Sequence, residues 1–467
     1  MPQSSPSPTD AATARRDLDA FRAAHPDVQA VDAIFADLAG VVRGKRLPLE
    51  DVGKVFDAGV TLPGSAFLLD ALGENHDPCG RGFSDGDPDT LAWPIPGTLV
   101  PVPWAERPLG QVLLHFTDPH GGQPFTFAPR SVLAKVAERL RADFGLTPVV
   151  AFELEFYLID PVRTAGGAAQ PPLSPLTGQR ESATQVYGMA DVDAYGPLLA
   201  DIAEGCRAQG VPAKAITAEY APAQFEINLG HVADPLQAAD HAVMFQHATR
   251  GVARRHGLQA TFMAKPYPDQ TGSGLHLHVS LVDDSGRNVL DGGAPDCPVG
   301  DSLRHALGGI LATLPEAMAF LAPNPNAYRR FQTRSFVPLR RSWGMENRSV
   351  TLRVPLGDAK ARRLEHRMAG ADANPYLALA TALAGIHHGL THKSDPGPPH
   401  SGNAGDSHDP EVPWRPRRAL ETLAAGPILR DYFGADYVDT YIACKTAEMD
   451  KFEAEITEAE YRWFLNA

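Results

Sequence analysis

Three segments of the chain alternate apolar and polar residues, and each predicts a β-strand with one packed face and one polar face. In Leu275-His276-Leu277-His278-Val279-Ser280 the aliphatic side chains share one side and His276, His278 and Ser280 the other. In Phe152-Glu153-Leu154-Glu155-Phe156 the polar side carries two carboxylates. In Gln224-Phe225-Glu226-Ile227-Asn228-Leu229 it carries Glu226 between two amides, with Glu219 a short turn upstream. Gly272 and Gly274 precede the histidine strand, where the missing Cβ atoms let a ligand approach the backbone closely.

Elsewhere the pattern divides the chain into a tail, a small β-rich unit and a large α+β unit. Residues 1 to 12 read as a disordered polar tail, and Ala14 to His25 as a short amphipathic helix stopped before Pro26. From Val28 to about Asp118, β-like pieces (VQAVDAIFADL, VVRGKRLPL, GTLVPVPW, QVLLHFTD) are punctuated by Gly and Pro. The segment FTFAPRSVLAKVAERLRADFG then carries the start and stop chemistry of a helix, Pro129 near its beginning and Gly145 past its end. The expected boundaries are 1–25 for the tail and helix, 26–118 for the β-rich domain and 125–467 for the large domain. Two Gly/Pro/Ser-rich stretches, 163–185 and 393–416, are long enough to be functional or interfacial loops.

Charge excludes one class of partner. With 42 Lys plus Arg against 56 Asp plus Glu, the net charge is −14, the opposite of a nucleic-acid-binding surface and mildly favourable to a cationic substrate. Cys79, Cys206, Cys297 and Cys444 have no CxxC spacing, which fits a reducing compartment and argues against a disulfide framework or zinc cluster. The first ten residues lack the charge and apolar run of a signal peptide, and the longest apolar run, near Leu377 to Ile386, is too short to span a bilayer. A cytoplasmic location with no membrane partner is the expectation.

Unpaired carboxylates on strands this apolar are costly. Recurrent ExE, E…E and HxH therefore point to shared divalent cations, and a carboxylate-dominated donor set suits Mg²⁺ or Mn²⁺ better than Zn²⁺. A solvated sheet face is the plainer alternative for any one of the strands. Downstream, Arg329, Arg330, Arg334, Arg340, Arg341, Arg348, Arg353, Lys360, Arg362, Arg363 and Arg367 gather cationic side chains, nearly all guanidiniums, after the ligand-bearing strands. Arginine forks match phosphate and carboxylate, so cations and arginines together suggest phosphoryl transfer near another anion. Arg348 and Arg353 fall in a strand-like run, NRSVTLRVP.

Glu153-x-Glu155, Ala221-Pro222-Ala223-Gln224-Phe225-Glu226-Ile227, Lys265-Pro266, Gly272-Ser273-Gly274-Leu275-His276-x-His278, Asn347-Arg348-Ser349, Arg363-x-Glu365-x-Arg367 and Asn374-Pro375-Tyr376 resemble, in order and spacing, the glutamine synthetase family. The resemblance spans roughly residues 28 to 467 and is closest to the γ-glutamylpolyamine (γ-glutamylputrescine) synthetase branch. It implies a β-grasp-like N-terminal domain and a catalytic domain built on a curved antiparallel sheet flanked by helices. It also implies a homododecamer of two stacked hexameric rings, with each site shared between neighbouring subunits. The implied reaction is phosphorylation of the glutamate γ-carboxylate by ATP, then attack of an amine on the γ-glutamyl phosphate.

By that resemblance Glu155, Glu219 and Glu226 match ligands of the metal near glutamate, and Glu153, His276 and Glu365 those of the metal on the ATP phosphates. His278, Ser280, Arg348, Arg353, Lys360 and Arg363 match ATP contacts. Gly272, Arg330, Arg348 and Arg367 match contacts to glutamate or the phosphoryl group. Catalytic roles fall to Glu219, Arg348 and Arg367. The chain departs from glutamine synthetase where the ammonium-binding Asp would stand, since Leu62-Pro63-Gly64-Ser65-Ala66 has Pro63 there, and where the flap Glu would stand, now Phe336. Loss of both carboxylates disfavours ammonium and favours a carbon-bearing primary amine, a polyamine such as putrescine first. Asp70 and Glu74 are candidates for holding its distal ammonium. Thr271 replaces a glutamate-contacting Asn, and Asn403-Ala404-Gly405-Asp406 has no Tyr at the family's adenylylated segment. An ethanolamide or alkylamide synthetase, glutamine synthetase itself and a non-catalytic relative are the other readings.

Overall fold

The computed structural model describes residues 8–120, 122–183, 185–291 and 299–467. Cys297 and the first seven residues of the expected tail lie outside the described residues. Helix α1 spans Pro8–Ala24, so it begins before the expected Ala14 and takes in part of the expected disordered stretch. Proline is compatible with a first turn because its missing N–H has no intrahelical partner there.

The N-terminal sheet contains β1 (Ala30–Ala36), β2 (Val42–Pro48), β3 (Val60–Pro63), β4 (Asp89–Pro94), β5 (Val100–Pro101) and β6 (Leu109–Thr117). Its order is β2-β1-β6-β4-β3, with β5 also on β6, and β1 runs parallel to β6. Between β2 and β3 lies α2 (Leu49–Ala58), which the sequence reading did not anticipate; it buries Val52, Val55 and Phe56 at helical spacing.

Helix α3 (Pro129–Phe144) follows, ending at Gly145 in the left-handed region (φ 63°) as its sequence predicted. The second sheet contains β7 (Thr147–Ile159), β8 (Ala213–Ala218), β9 (Gln224–Leu229), β10 (Gln259–Thr261), β11 (Leu275–Val282), β12 (Trp343–Met345), β13 (Leu352–Val354) and β14 (Leu364–His366). Its order is β12-β13-β14-β11-β7-β9-β8, with β10 on β7. Every pairing is antiparallel except β12 with β13, which run parallel. The run NRSVTLRVP forms only the short β13; Asn347 Oδ1 accepts from the Ser349 amide at 2.9 Å, turning the chain so that Arg348 precedes the strand on an exposed loop.

Helices α4 (Met189–Ala194) and α5 (Gly196–Ala208) lie between β7 and β8 in the chain. One face of this sheet is apolar. Phe156 packs against Phe225, Phe262 and Phe245, the last carried by α6 (Pro235–Arg255). α6 starts where Asp234 accepts from the Leu236 and Gln237 amides. Helices α7 (Asp301–Leu321) and α8 (Pro375–His392) complete the buried core, and among the described residues no helix is long and apolar enough to cross a membrane. Asn374 caps α8 while its Nδ2 donates to the Asp37 carbonyl at 2.8 Å, tying the two sheets together. A buried Arg130–Asp240 pair (2.9 Å), with Tyr376 donating to Asp240 at 2.6 Å, joins α3, α6 and α8.

Candidate active site

Strand register brings the polar faces together. Across β7 and β11 His276 stands opposite Glu153; across β7 and β9 Glu155 stands opposite Glu226; across β11 and β14 His278 stands opposite Glu365. Directly opposed residues in an antiparallel pair point to the same side, so these six side chains occupy one face.

The tightest contacts centre on Glu153. Its Oε2 lies 3.2 Å from His276 Nδ1, and its Oε1 lies 2.8 Å from His278 Nε2 without hydrogen-bond alignment. Arg363 Nε donates to His278 Nδ1 at 3.1 Å, which assigns the neutral ring's proton to Nε2, facing Glu153. Glu153, Glu226 and His276 form one compact donor group, and Glu153, His278 and Glu365 another; in each, one donor atom per residue lies within 4.8 Å of the others. Glu155 and Glu219 fall outside those two groups. Glu155 Oε2 accepts from the Gly274 amide at 2.9 Å and from Gln224 Nε2 at 3.3 Å, and Thr271 Oγ1 in turn donates to Gln224 Oε1 at 2.7 Å.

The electrostatics separate the carboxylates into two kinds. Burial, reinforced by the charges of Glu155 and Glu153, pushes Glu219 up to about 8. Burial and the charges of Glu153, Glu155 and Glu219 push Glu226 well above the ordinary carboxyl value. Burial alone would also raise Glu365, but Arg367 and the two histidines hold it down to about 2. Glu365 is fully buried between Arg353 (Nη1 to Oε2, 2.7 Å) and Arg367. Burial likewise opposes ionisation of Glu153, and the adjacent His276 and His278 imidazoles override it.

The face can accept cations. A Cβ on Gly274 would lie 3.1 Å from His276 Nε2, 3.3 Å from Arg330 Nη2 and 3.4 Å from Glu155 Oε1, so three polar groups converge on a point left clear by a glycine. Raised, mutually repelling carboxyls around such a point are the environment that a divalent cation relieves.

Arg330 and Arg367 are both buried, and Arg367 Nε donates to the Arg348 carbonyl at 3.1 Å. Lys360 lies on an exposed loop fastened by Asn288 Nδ2, which donates to the carbonyls of Ala359, Lys360 and Arg362. Ser280, half-buried on β11, pairs with Val149. Gly272 packs so tightly that a Cβ would lie 2.6 Å from Arg330 Cγ and 2.7 Å from the Ala264 carbonyl oxygen. Phe336 is exposed, its ring 6.0 Å from that of Tyr220, the neighbour of Glu219. Pro63 ends β3 in the other sheet, beside a cavity of about 90 Å³ lined in part by Gly64, Ser65, Asp85, Asp87 and Asp89. Asp70 and Glu74 are occupied within the chain: Asp70 contacts His76 at 2.8 Å and Lys451 at 3.5 Å, and Glu74 contacts Lys451 at 2.7 Å.

Sequence reasoning missed Tyr220, Tyr187 and His231. Tyr187 is exposed within electrostatic reach of Glu219, and the His231 ring sits 6.2 Å from that of His278. An aromatic residue directly after Glu219 was the available signal for the first.

Acidic and imidazole donors share one sheet face, with arginines near it, and could hold divalent cations and anionic substrates. Residues 126–464 match the family described as glutamine synthetase, catalytic domain, and the chain belongs to the glutamine synthetase family. It is 42% identical to the γ-glutamylputrescine synthetase PuuA of Escherichia coli, a similarity covering 94% of this chain and 92% of that protein. It is 32% identical to a γ-glutamylethanolamide synthetase of Streptomyces coelicolor, over 93% of this chain and 92% of the relative. Among solved structures, an ADP complex of GmaS superposes with a TM-score of 0.82 at 27% identity, covering 97% of this chain and all of the other.

Proposed function

We propose that the protein joins the γ-carboxylate of L-glutamate to a primary amine, converting ATP to ADP and phosphate, with a polyamine, putrescine first, as the amine. The observation that carries the amine reading is the surroundings of Glu219: an exposed Tyr220–Phe336 pair stands beside it. Aromatic faces suit the methylenes of a carbon-bearing amine, which ammonium lacks, and can also take its distal ammonium. Similarity to relatives named for γ-glutamylputrescine and γ-glutamylethanolamide supports the same substrate class.

On this reading Glu155, Glu219 and Glu226 would hold one Mg²⁺ or Mn²⁺ on the glutamate side, and Glu153, His276 and Glu365 would hold a second on the ATP side. Divalent cations held there would supply the positive charge that phosphoryl transfer between two anions requires. His276 would serve as the imidazole ligand, and the His278 ring, 2.8 Å from Glu153 Oε1, flanks that carboxylate. Arg330, Arg348 and Arg367, with the backbone at Gly272, take the carboxylates of glutamate and the phosphoryl oxygens. His278, Ser280, Arg348, Arg353, Lys360 and Arg363 line the ATP side. Glu219 accepts the proton that the amine loses as its nitrogen attacks the acyl phosphate, and phosphate leaves as the amide forms.

Pro63 faces the site from a neighbouring copy in a dodecamer of two hexameric rings. Incubation with ATP, Mg²⁺, glutamate, putrescine and ammonium should yield γ-glutamylputrescine by mass spectrometry, with one ADP released per amide. Glutamine as the only product in the presence of both amines would overturn the substrate assignment, and light scattering of a fully active monomer would overturn the shared site.

A further inference from the structure

Arg330 is threaded between glycines. Its Cγ lies 2.6 Å from where a Cβ of Gly272 would stand, its Nη2 3.3 Å from that of Gly274 and its Nη1 3.6 Å from that of Gly370. Nη2 therefore faces the point shared with Glu155 and His276, whereas Nη1 faces the backbone segment after β14, where it donates to the Met368 carbonyl at 3.2 Å. On that second side stands Asp372, whose Oδ1 is 2.5 Å from the same Gly370 Cβ position. Neither Asp372 Oδ1 nor Arg330 Nε has a hydrogen-bond partner among the described residues, although both atoms are shielded from solvent.

A second connection is mechanical. Asn324 Nδ2 donates to Asp372 Oδ2 at 2.7 Å, and Asn324 Oδ1 accepts from the Ala327 amide at 3.1 Å. Ala327 opens the single 3₁₀ turn Ala327–Arg330, so Asp372 grips the first residue of the turn whose last residue is Arg330. The Ala371 amide donates to the Ser273 carbonyl at 3.0 Å, which fixes Asp372 to the glycine loop ahead of β11. Lys445 also lies in electrostatic reach of Asp372, but it is paired with Glu448 at 2.9 Å.

We propose that Asp372 is a positioning residue for Arg330. It anchors the 3₁₀ turn through Asn324 and balances the buried guanidinium from behind, so that the donors on the Glu155 side are held toward a substrate carboxylate. A buried guanidinium without such a counter-charge would be drawn toward Glu155 and would neutralise a cation ligand instead of gripping substrate. The proposal rests on the reading that Arg330 binds glutamate, and it assigns a task to a carboxylate that touches neither substrate nor cation.

Asp372→Asn keeps an acceptor for Asn324 and removes only the charge. Calorimetric titration of glutamate into the full-length protein with Mg²⁺ and a non-hydrolysable ATP analogue should give about tenfold weaker glutamate binding in this variant, with the KM for ATP and the melting temperature unchanged. A folded variant with wild-type glutamate affinity overturns the proposal. If Asp372→Asn does not fold, Asn324→Ser, which loosens the turn and leaves the charge, decides in its place: weakened glutamate binding supports the proposal and unchanged binding overturns it. Wild-type protein that binds no glutamate at all is a different failure, that of the parent reading.

Discussion

Glu153 stands directly opposite His276 in the β7–β11 register, with Glu153 Oε2 3.2 Å from His276 Nδ1. The other oxygen of the same carboxylate faces His278, so one glutamate links the two imidazoles of the HxH strand and sits at the middle of the donor face.

Removing a carboxylate from this face should separate stability from activity. Glu155→Ala and Glu226→Ala each remove one member of a mutually repelling set of carboxyls, so the metal-free variants should melt no lower than wild type. Their Mg²⁺- or Mn²⁺-dependent ADP release should fall by about a hundredfold or more. Full activity in Glu155→Ala contradicts its assignment as a ligand.

Two glycines give a sharper contrast. In Gly274→Ala the new methyl meets the ends of side chains, His276 Nε2, Arg330 Nη2 and Glu155 Oε1, and intrudes where a cation would bind. The expected result is a folded protein with about ten- to a hundredfold weaker metal affinity, measured by titration of Mn²⁺. In Gly272→Ala the methyl also meets the Ala264 backbone oxygen at 2.7 Å, which cannot swing away, so that variant should lose stability as well. Equal metal affinity in Gly274→Ala and wild type contradicts the placement.

The legible part of the structure is the part with local periodicity. Strands β7, β9 and β11 alternate cleanly, and they bring Glu153, Glu155, Glu226, His276 and His278 to one face as the alternation implied. Strands β12, β13 and β14 are three residues each, too short for any period, and their pairing is decided by neighbours distant in sequence; Glu365 was found through its motif and not through its strand. Helix α2 was hidden because Leu49–Ala58 lies between two β-like segments, although Val52, Val55 and Phe56 have helical spacing. The approach of Phe336 to Tyr220, and of Asp372 to Arg330, joins separate loops and strands, and no local pattern announces such a meeting.

Stability of the metal-free protein should depend on pH in a defined direction. Glu219 is pushed up to about 8 and Glu226 well above its ordinary value, whereas unfolded glutamates titrate near about 4.3. Between those values the folded state binds more protons than the unfolded chain, so stability falls as the pH rises from about 4.5 toward 8. Glu365 has the opposite sign: held down to about 2, its contribution is present above about 4.3 and is lost as the pH falls toward 2. Thermal melts in chelator should therefore give a lower Tm at about pH 8 than at about pH 6, and added Mg²⁺ should raise Tm more at the higher pH, where it competes with fewer protons. A metal-free Tm that rises across this interval contradicts the description of Glu219 and Glu226.

The aromatic pair should act on the amine and on little else. Tyr220→Ala and Phe336→Ala are expected to raise the KM for putrescine by about twofold to fivefold, the range of one exposed cation–aromatic contact, while the KM values for ATP and glutamate stay unchanged. Steady-state kinetics with each substrate varied in turn checks this. A uniform loss in kcat with all KM values unchanged would instead assign the pair a structural role.

The most direct test of the central claim is a comparison of kcat/KM for putrescine, a longer polyamine, ethanolamine, isopropylamine and ammonium, read as glutamate-dependent ADP release by the wild-type protein. Pro63 and Phe336 in place of two carboxylates, with Tyr220 beside Glu219, predict putrescine or the longer polyamine at the top and ammonium lower by about a hundredfold or more. Ammonium used as efficiently as the best organic amine would contradict the account and make the protein a glutamine synthetase.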